Sequence, residues 1–348
     1  MNYITSLAYR HPRGNLFTDF IQGLHSISAS PWPAAFRSLR NVAVGAGWNH
    51  SNPQIAPSVI TPLFLLPNLE TIYIGGLHFL DGDDYLEEQP TLALPPRSSS
   101  VQNICIDGAG HYVVFNVVRS WCASARVLKT LVFNSCEFCH IDVILENYAH
   151  VADRFLEHLV YSEHPQLRVG HCETHHLTAL NHCEALKTVM MDMEDIRYAA
   201  THYCDSLNAN PGDPVWYDEY VRFVPHVFPE SVETLILTFA SPVSLSRKEI
   251  KAIDGALAAY LESDRCPNLR AMHLELVDIN IQSAPPIVQD HGYDGTWFHA
   301  TVKCGRDKGI EVYTGRDEGS TARYISEWYN SIFGFAGPMV AGGSHAIF

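Results

Sequence analysis

Positive charge is scarce in this chain: 23 Lys and Arg stand against 38 Asp and Glu, a formal net charge of −15. A surface of that sign repels a phosphate backbone, so no nucleic-acid partner is expected. Long apolar runs are also missing. The opening MNYITSLAYRHPRGNLF holds no uninterrupted apolar core of signal-peptide length, and no window approaches the roughly 18 apolar residues of a membrane span. The expectation is a soluble protein, cytoplasmic or nuclear, with no membrane partner. Cysteine is neither dense nor even in number; nine scattered residues read as reduced thiols rather than a disulfide framework. The single sequon, Asn49-His-Ser51, is then a chance match. G-x-S-x-G, G-x-x-x-x-G-K-S/T and H-E-x-x-H are all absent, so no catalytic residue and no cofactor is expected. What remains is ordinary globular material, 47% hydrophobic and 18% charged, in a chain of 348 residues that fits two average domains or one extended one.

Self-similarity organises that material. The pattern apolar-x-x-apolar-x-apolar occurs in register eight times: LRNVAV from Leu39, LETIYI from Leu69, VQNICI from Val101, LKTLVF from Leu128, LEHLVY from Leu156, LKTVMM from Leu186, VETLIL from Val232 and LRAMHL from Leu269. Breakers precede three of them (LPN, PES and CPN), and Thr71, Thr130, Thr188 and Thr234 share one place. Each hit reads as a short strand with alternate side chains on one face, so that Ile72 and Ile74 face a core while Tyr73 faces away. Helical segments separate them. The clearest is Ser246 to Asp264, where Ser246 and Glu249 make a capping-box pair and Ile250, Ile253, Leu257 and Leu261 an apolar stripe. Strand and helix alternating about every 30 residues predict an α/β protein with a parallel sheet built one crossover at a time.

RCPNLRAMHL, HCEALKTVMM and LKTLVFNSC, the last matching L-x-x-L-x-L-x-x-C with Phe133 in a leucine place, resemble a leucine-rich repeat of the cysteine-containing type. Their irregular spacing is similar to the substrate-recognition repeats of fungal F-box proteins. That resemblance implies a solenoid, or horseshoe, with a concave parallel sheet of about eight to nine strands and helices on the convex side. It divides the chain into an N-terminal helical cap (residues 1–35, with a helix over Asn15 to Ile27), an irregular array (36–300) and a C-terminal strand, helix and loose glycine-rich tail (301–348). It further implies a protein partner. A ubiquitin-ligase adaptor role follows only if an F-box lies upstream of Met1, because no recognisable F-box fits into residues 1–35.

The repeat reinterprets motifs that look like cofactor sites. NSCEFCH, Asn134 to His140, has the C-x-x-C-H spacing of covalent haem, yet Cys136 falls at the repeat's own cysteine place and Cys139 opens the following segment. The cluster His171, Cys172, His175, His176, His182, Cys183 contains one i, i+4 pair, Cys172 and His176, that could hold zinc. Cys183 instead matches Cys266 in the repeat, and Leu177, Leu180 and Cys183 form a core stripe. A metal-binding protein or enzyme built on residues 171–183 is thus the alternative to a non-catalytic module. The acidic run DGDDYLEEQP lacks the ligand order of a calcium loop and reads as a solvated face. GRDKG at Gly305 and GRDEG at Gly315 read as polar turns flanking a strand over Ile310 to Thr314, with a helix over Ala322 to Phe333 after it.

The outward positions supply the candidate site. The residue between the two inward ones is Ala43, Tyr73, Cys105, Val132, Val160, Met190, Ile236 and His273 in turn, a mostly apolar row along the concave face. A contiguous patch of that kind marks a protein partner site or is covered by the chain's own insertion. The next outward row, Gly45, Gly75, Asp107, Asn134, Ser162, Asp192, Thr238 and Glu275, is polar with an acidic bias and suits a basic or mixed partner. In the longest interval, Tyr217 and Tyr220 are the insertion's candidate contact residues, while Trp216, Phe223 and Phe228 are assigned to packing.

Overall fold

The structure is a computed structural model that describes residues 6–11, 38–46, 60–77, 94–109, 114–136, 154–163, 177–192, 196, 223–239, 247–277 and 298–317. Ten strands form a single sheet: β1 (Ser6–His11), β2 (Asn41–Ala46), β3 (Thr71–Leu77), β4 (Asn103–Ala109), β5 (Thr130–Cys136), β6 (His158–Glu163), β7 (Thr188–Asp192), β8 (Thr234–Phe239), β9 (Ala271–Val277) and β10 (Glu311–Asp317). Their order in space is their order in sequence, and every neighbouring pair is parallel. A parallel neighbour cannot be reached through a hairpin, so each strand is joined to the next by a crossover connection. The protein is of the α/β class.

All eight sequence hits become strands, β2 to β9, because their apolar places fall where one face must be buried. In β3, Leu69, Ile72 and Ile74 are fully buried; Leu128, Leu131 and Phe133 repeat the arrangement in β5. Each such side chain contributes about 1.5–3 kcal/mol through loss of apolar surface to water. The described helices close the same core. In α1 (Val114–Ser124) the fully buried Trp121 stacks on Phe64, with ring centroids 5.2 Å apart, and its indole N–H donates to Thr61 Oγ1 at 2.9 Å. In α2 (Arg247–Glu262) Ile253, Leu257 and Leu261 are buried as the helical stripe predicts; the side chains of Ile250 and Glu249, and all of Ser246, lie outside what is described.

Cysteine belongs to this packing. Before β3 the backbone N–H of Leu66 donates to Leu63 O and that of Leu69 to Leu66 O; Cys183 and Leu186 repeat the same steps before β7, and Leu269 to Cys266 O before β9. Three-residue steps put each of these side chains on one side, so a buried Cys183 or Cys266 stands where β3 has Leu66. Burial also pushes the Cys122 thiol in α1 up to about 12, which keeps it protonated and inert.

Three expectations are corrected. Within residues 1–35, assigned to a helical cap, Ser6–His11 is instead the first strand, aligned with β2 through Leu7 and Val42; Asn15 to Ile27 lies outside the described residues. GRDKG is not a turn. It closes the last turn of α3 (His299–Lys308), which ends at Gly309 with φ 74°, the left-handed cap that suits glycine. Gly315 then continues β10 rather than breaking it, and β10 pairs with β9 over its whole length. The C-terminal strand expected after residue 300 therefore belongs to the sheet, which among the described residues runs on to 317 and has ten strands against the eight to nine expected. The helix over Ala322 to Phe333 and the glycine-rich tail lie outside the described residues.

The α3–β10 unit shows why glycine sits inside a helix. A Cβ on Gly305 would lie 2.3 Å from Val312 Cγ2 and 3.1 Å from Ile310 O, so the helix touches the strand that follows it at a point with no room for a side chain. Asp254 of α2 fixes the other end. Its carboxylate accepts from the backbone N–H of Ala300 and Thr301 at 3.0 and 2.8 Å, and from the Thr301 hydroxyl at 2.7 Å. A carboxylate at that position satisfies donors that the first turn of α3 would otherwise leave bare.

Candidate functional site

Strand register assembles the candidate row. Ala43, Tyr73, Cys105, Val132, Val160, Met190, Ile236 and His273 are partners across successive strands, and Tyr313 of β10 continues the row beyond His273. None of them belongs to the core cluster formed by the alternate positions, so they occupy the opposite face. The periodicity thus places them correctly. Their exposure differs from the expectation of a continuous contact surface. Ala43, Tyr73, Cys105, Val132, Val160 and Met190 are 0–1% exposed, whereas Ile236 and His273 are half-buried and Tyr313 is 49% exposed. Side chains closed off to that degree act as scaffold. Among the side chains whose burial is described, the row opens at β8 to β10.

At the open end the His273 and Tyr313 rings stack at 4.7 Å with their planes 21° apart. The Tyr313 hydroxyl donates to Glu311 Oε2, which holds the phenol above its usual pKa. Partial burial pushes the His273 imidazole below its usual range, and Glu311 opposes that shift. The result is a neutral aromatic pair with one carboxylate at its rim, suited to stacking and hydrogen bonding. Sequence reasoning missed Tyr313 and Glu311 because it treated Ile310 to Thr314 as an end cap rather than as a strand of the array. Their signal was the alternation I-x-V-x-T itself.

No protein-family model and no curated protein matches this chain.

A second row borders the first on the same face: Asn41, Thr71, Asn103, Thr130, His158, Thr188 and Thr234. Asn103 Nδ2 donates to Thr71 Oγ1 at 3.1 Å. His158 is half-buried, and its pKa falls chiefly through that burial, with Glu157 opposing and Lys187 reinforcing. The third row keeps the predicted register from Gly45 through Gly75, Asp107 and Asn134 to Ser162, and again from Asp192 through Thr238 to Glu275. Thr238 is buried, its hydroxyl donating to Met191 O.

Just ahead of the strands runs a line of charges that periodicity did not call attention to. One residue before β2, β3, β5, β6, β7, β8 and β9 stand Arg40, Glu70, Lys129, Glu157, Lys187, Glu233 and Arg270, with Gln102 before β4. Backbone bonds join them in sequence, from Glu70 N–H to Arg40 O through to Arg270 N–H to Glu233 O. Side-chain pairs follow: Arg40 with Glu70 at 2.7 Å, Lys187 with Glu157 at 2.7 Å, and Arg270 with Glu233 at 3.5 Å. The Lys187 hydrogen bond is the main cause of the lowered Glu157 pKa. Such exposed pairs add little stability, but opposite signs on adjacent strands favour this strand order over others. The signal was legible as the residue following the first apolar place of each repeat.

Of the metal-like candidates, only His182 and Cys183 fall among the described residues. Cys183 and Leu180 are buried in the core and His182 is exposed, while Cys172 and His176 lie outside the described residues, as do Tyr217 and Tyr220. Phe223 and Phe228 pack into the core, Phe228 against Tyr260 at 5.7 Å. Among the described residues no three His, Cys, Asp or Glu side chains converge, and no helix is long and apolar enough to cross a membrane.

Proposed function

We propose that this chain is a non-catalytic protein-recognition module, built as a leucine-rich-repeat solenoid of the kind found in the substrate-recognition arrays of fungal F-box proteins. One observation carries the reading. A single row of residues in register across the sheet passes from full burial at Tyr73, Cys105, Val132, Val160 and Met190 through half-burial at Ile236 and His273 to exposure at Tyr313. A protein partner meets the open end, where an aromatic pair and an apolar side chain supply the anchors typical of interfaces and Glu311 supplies a polar rim. Tyr217 and Tyr220, candidate contacts from the sequence, lie outside the described residues. The acidic bias of the third row selects a basic or mixed partner, and coupling to a ubiquitin ligase requires an F-box in the same polypeptide.

The test is affinity capture with the wild-type chain and a His273→Asp, Tyr313→Asp double variant, both shown to be folded by their thermal transitions. Partners recovered by the wild type and lost by the variant support the module. Equal recovery by the two folded proteins contradicts it.

A further inference from the structure

We propose that the leading edge of the sheet, where the chain turns into β5 through β9, binds an extended peptide segment whose residues run acidic, apolar, basic. This surface lies at the end of the strands rather than on their face, so it goes beyond the recognition row and stands independently of it. An open groove of about 360 Å³ runs there, lined among others by Lys129, Arg154, Phe155, Glu184, Ala185 and Glu233. The charged and apolar features that select a ligand lie at the starts of β5, β6 and β7, two spacings of about 4.8 Å or roughly 10 Å, a distance that a short extended segment of three to five residues at about 3.3 Å each spans.

The charges say which peptide. The middle of the groove is already neutralised, since Lys187 pairs with Glu157 at 2.7 Å and feels Glu233 on its other side. What is left over is divided between the β5–β6 part and the β7 part. Towards β5 and β6, Lys129, which acts on Glu157 only at longer range, and Arg154 are exposed cations that make no ion pair at contact distance among the described residues; at β7, Glu184 is an exposed carboxylate that makes none. Between them Phe155 turns a 39% exposed ring into solvent. An acidic side chain fits the cation end, an apolar one the Phe155 ring and a basic one Glu184. A segment of one charge sign satisfies one end and is repelled at the other.

Saturation-transfer NMR on the full chain with three acetylated, amidated pentapeptides tests this: Asp-Gly-Leu-Gly-Lys, Asp-Gly-Leu-Gly-Asp and Lys-Gly-Leu-Gly-Lys. The expected result is that the mixed peptide binds about tenfold more tightly than either single-sign peptide, with affinity falling as salt rises. Arg154→Glu, a change at an exposed residue, lowers the mixed peptide's affinity about tenfold and makes the Lys-Lys peptide the preferred one; Lys129→Glu serves in the same way should Arg154→Glu fail to fold. No signal from the mixed peptide at millimolar concentration, equal affinity for all three, or indifference to both charge reversals overturns the proposal.

Discussion

Strands β3 and β10 carry tyrosine at the same register position, and the molecule uses the two residues differently. Tyr73 is 1% exposed and Tyr313 is 49% exposed. Around Tyr73 both faces of the sheet are closed: Ile72 and Ile74 lie in the core, while Tyr73 and its neighbours Ala43 and Cys105 are buried on the other side. Strands buried on two faces are the common condition of parallel sheets and explain the unbroken apolar runs in the middle repeats. At β8 to β10 the core face is closed by α2 and α3, while the opposite row emerges gradually, half-buried at Ile236 and His273 and exposed at Tyr313. Register decides which way a side chain points. Cover decides whether it is scaffold or surface.

The largest expected effect breaks this contrast with one type of substitution at two places. Val132→Asp puts a carboxylate into a fully buried site in mid-sheet, and the fold should lose at least about 3 kcal/mol, measured by denaturant unfolding. Tyr313→Asp changes an exposed residue and should stay within about 0.5 kcal/mol of wild type. Equal losses would mean that the middle and the open end of the row are alike.

The C-terminal end should prove the more sensitive one on its core side. Gly305→Ala forces a Cβ into Val312 and is expected to cost about 1–3 kcal/mol, with Val312→Ala in the same chain restoring part of it. Absence of that coupling in a double-mutant cycle would detach α3 from β10. Asp254→Ala strips the first turn of α3 of its cap and should cost about 1–2 kcal/mol, with amide exchange rising first at Ala300 and Thr301.

A smaller effect comes from pH. His158 in mid-sheet and His273 at the open end both have folded-state pKa values below the ordinary histidine value, through burial. The unfolded chain therefore takes up their protons first. Their contribution to stability is complete above the unfolded pKa of about 6.5 and is lost as pH falls through the folded values. Stability measured from pH 7 to pH 5 should decline, and His158→Gln and His273→Gln should each flatten the decline. A slope unchanged by both would remove the burial explanation.

Most of the sheet was legible because burying one strand face imposes L-x-x-L-x-L at every turn of the array. β1 obeys the same rule in ITSLAY, with Tyr9 in the last apolar place. β10 hides it, since Gly309 stands where the preceding repeat has Leu269 and Thr314 where it has Leu274. A left-handed helix cap took the place of the first leucine, so the pattern search passed over the strand that carries the most exposed residue of the row. The row itself was legible in full from Ala43 to His273. Its burial was not, because the alternation of a strand tells its two faces apart but does not say what lies over the second one. The described strands and helices are together close to neutral, so the acidic excess falls elsewhere in the sequence, as in DGDDYLEEQP.

Hydroxyl-radical footprinting of the native chain, read by mass spectrometry at Tyr73 and Tyr313, tests the contrast most directly, because the two residues share chemistry and register and differ only in cover. The structure predicts that Tyr313 is oxidised readily while Tyr73 stays protected until the chain unfolds. Comparable oxidation of both in the folded protein would contradict a face that is closed at the middle and open at its end.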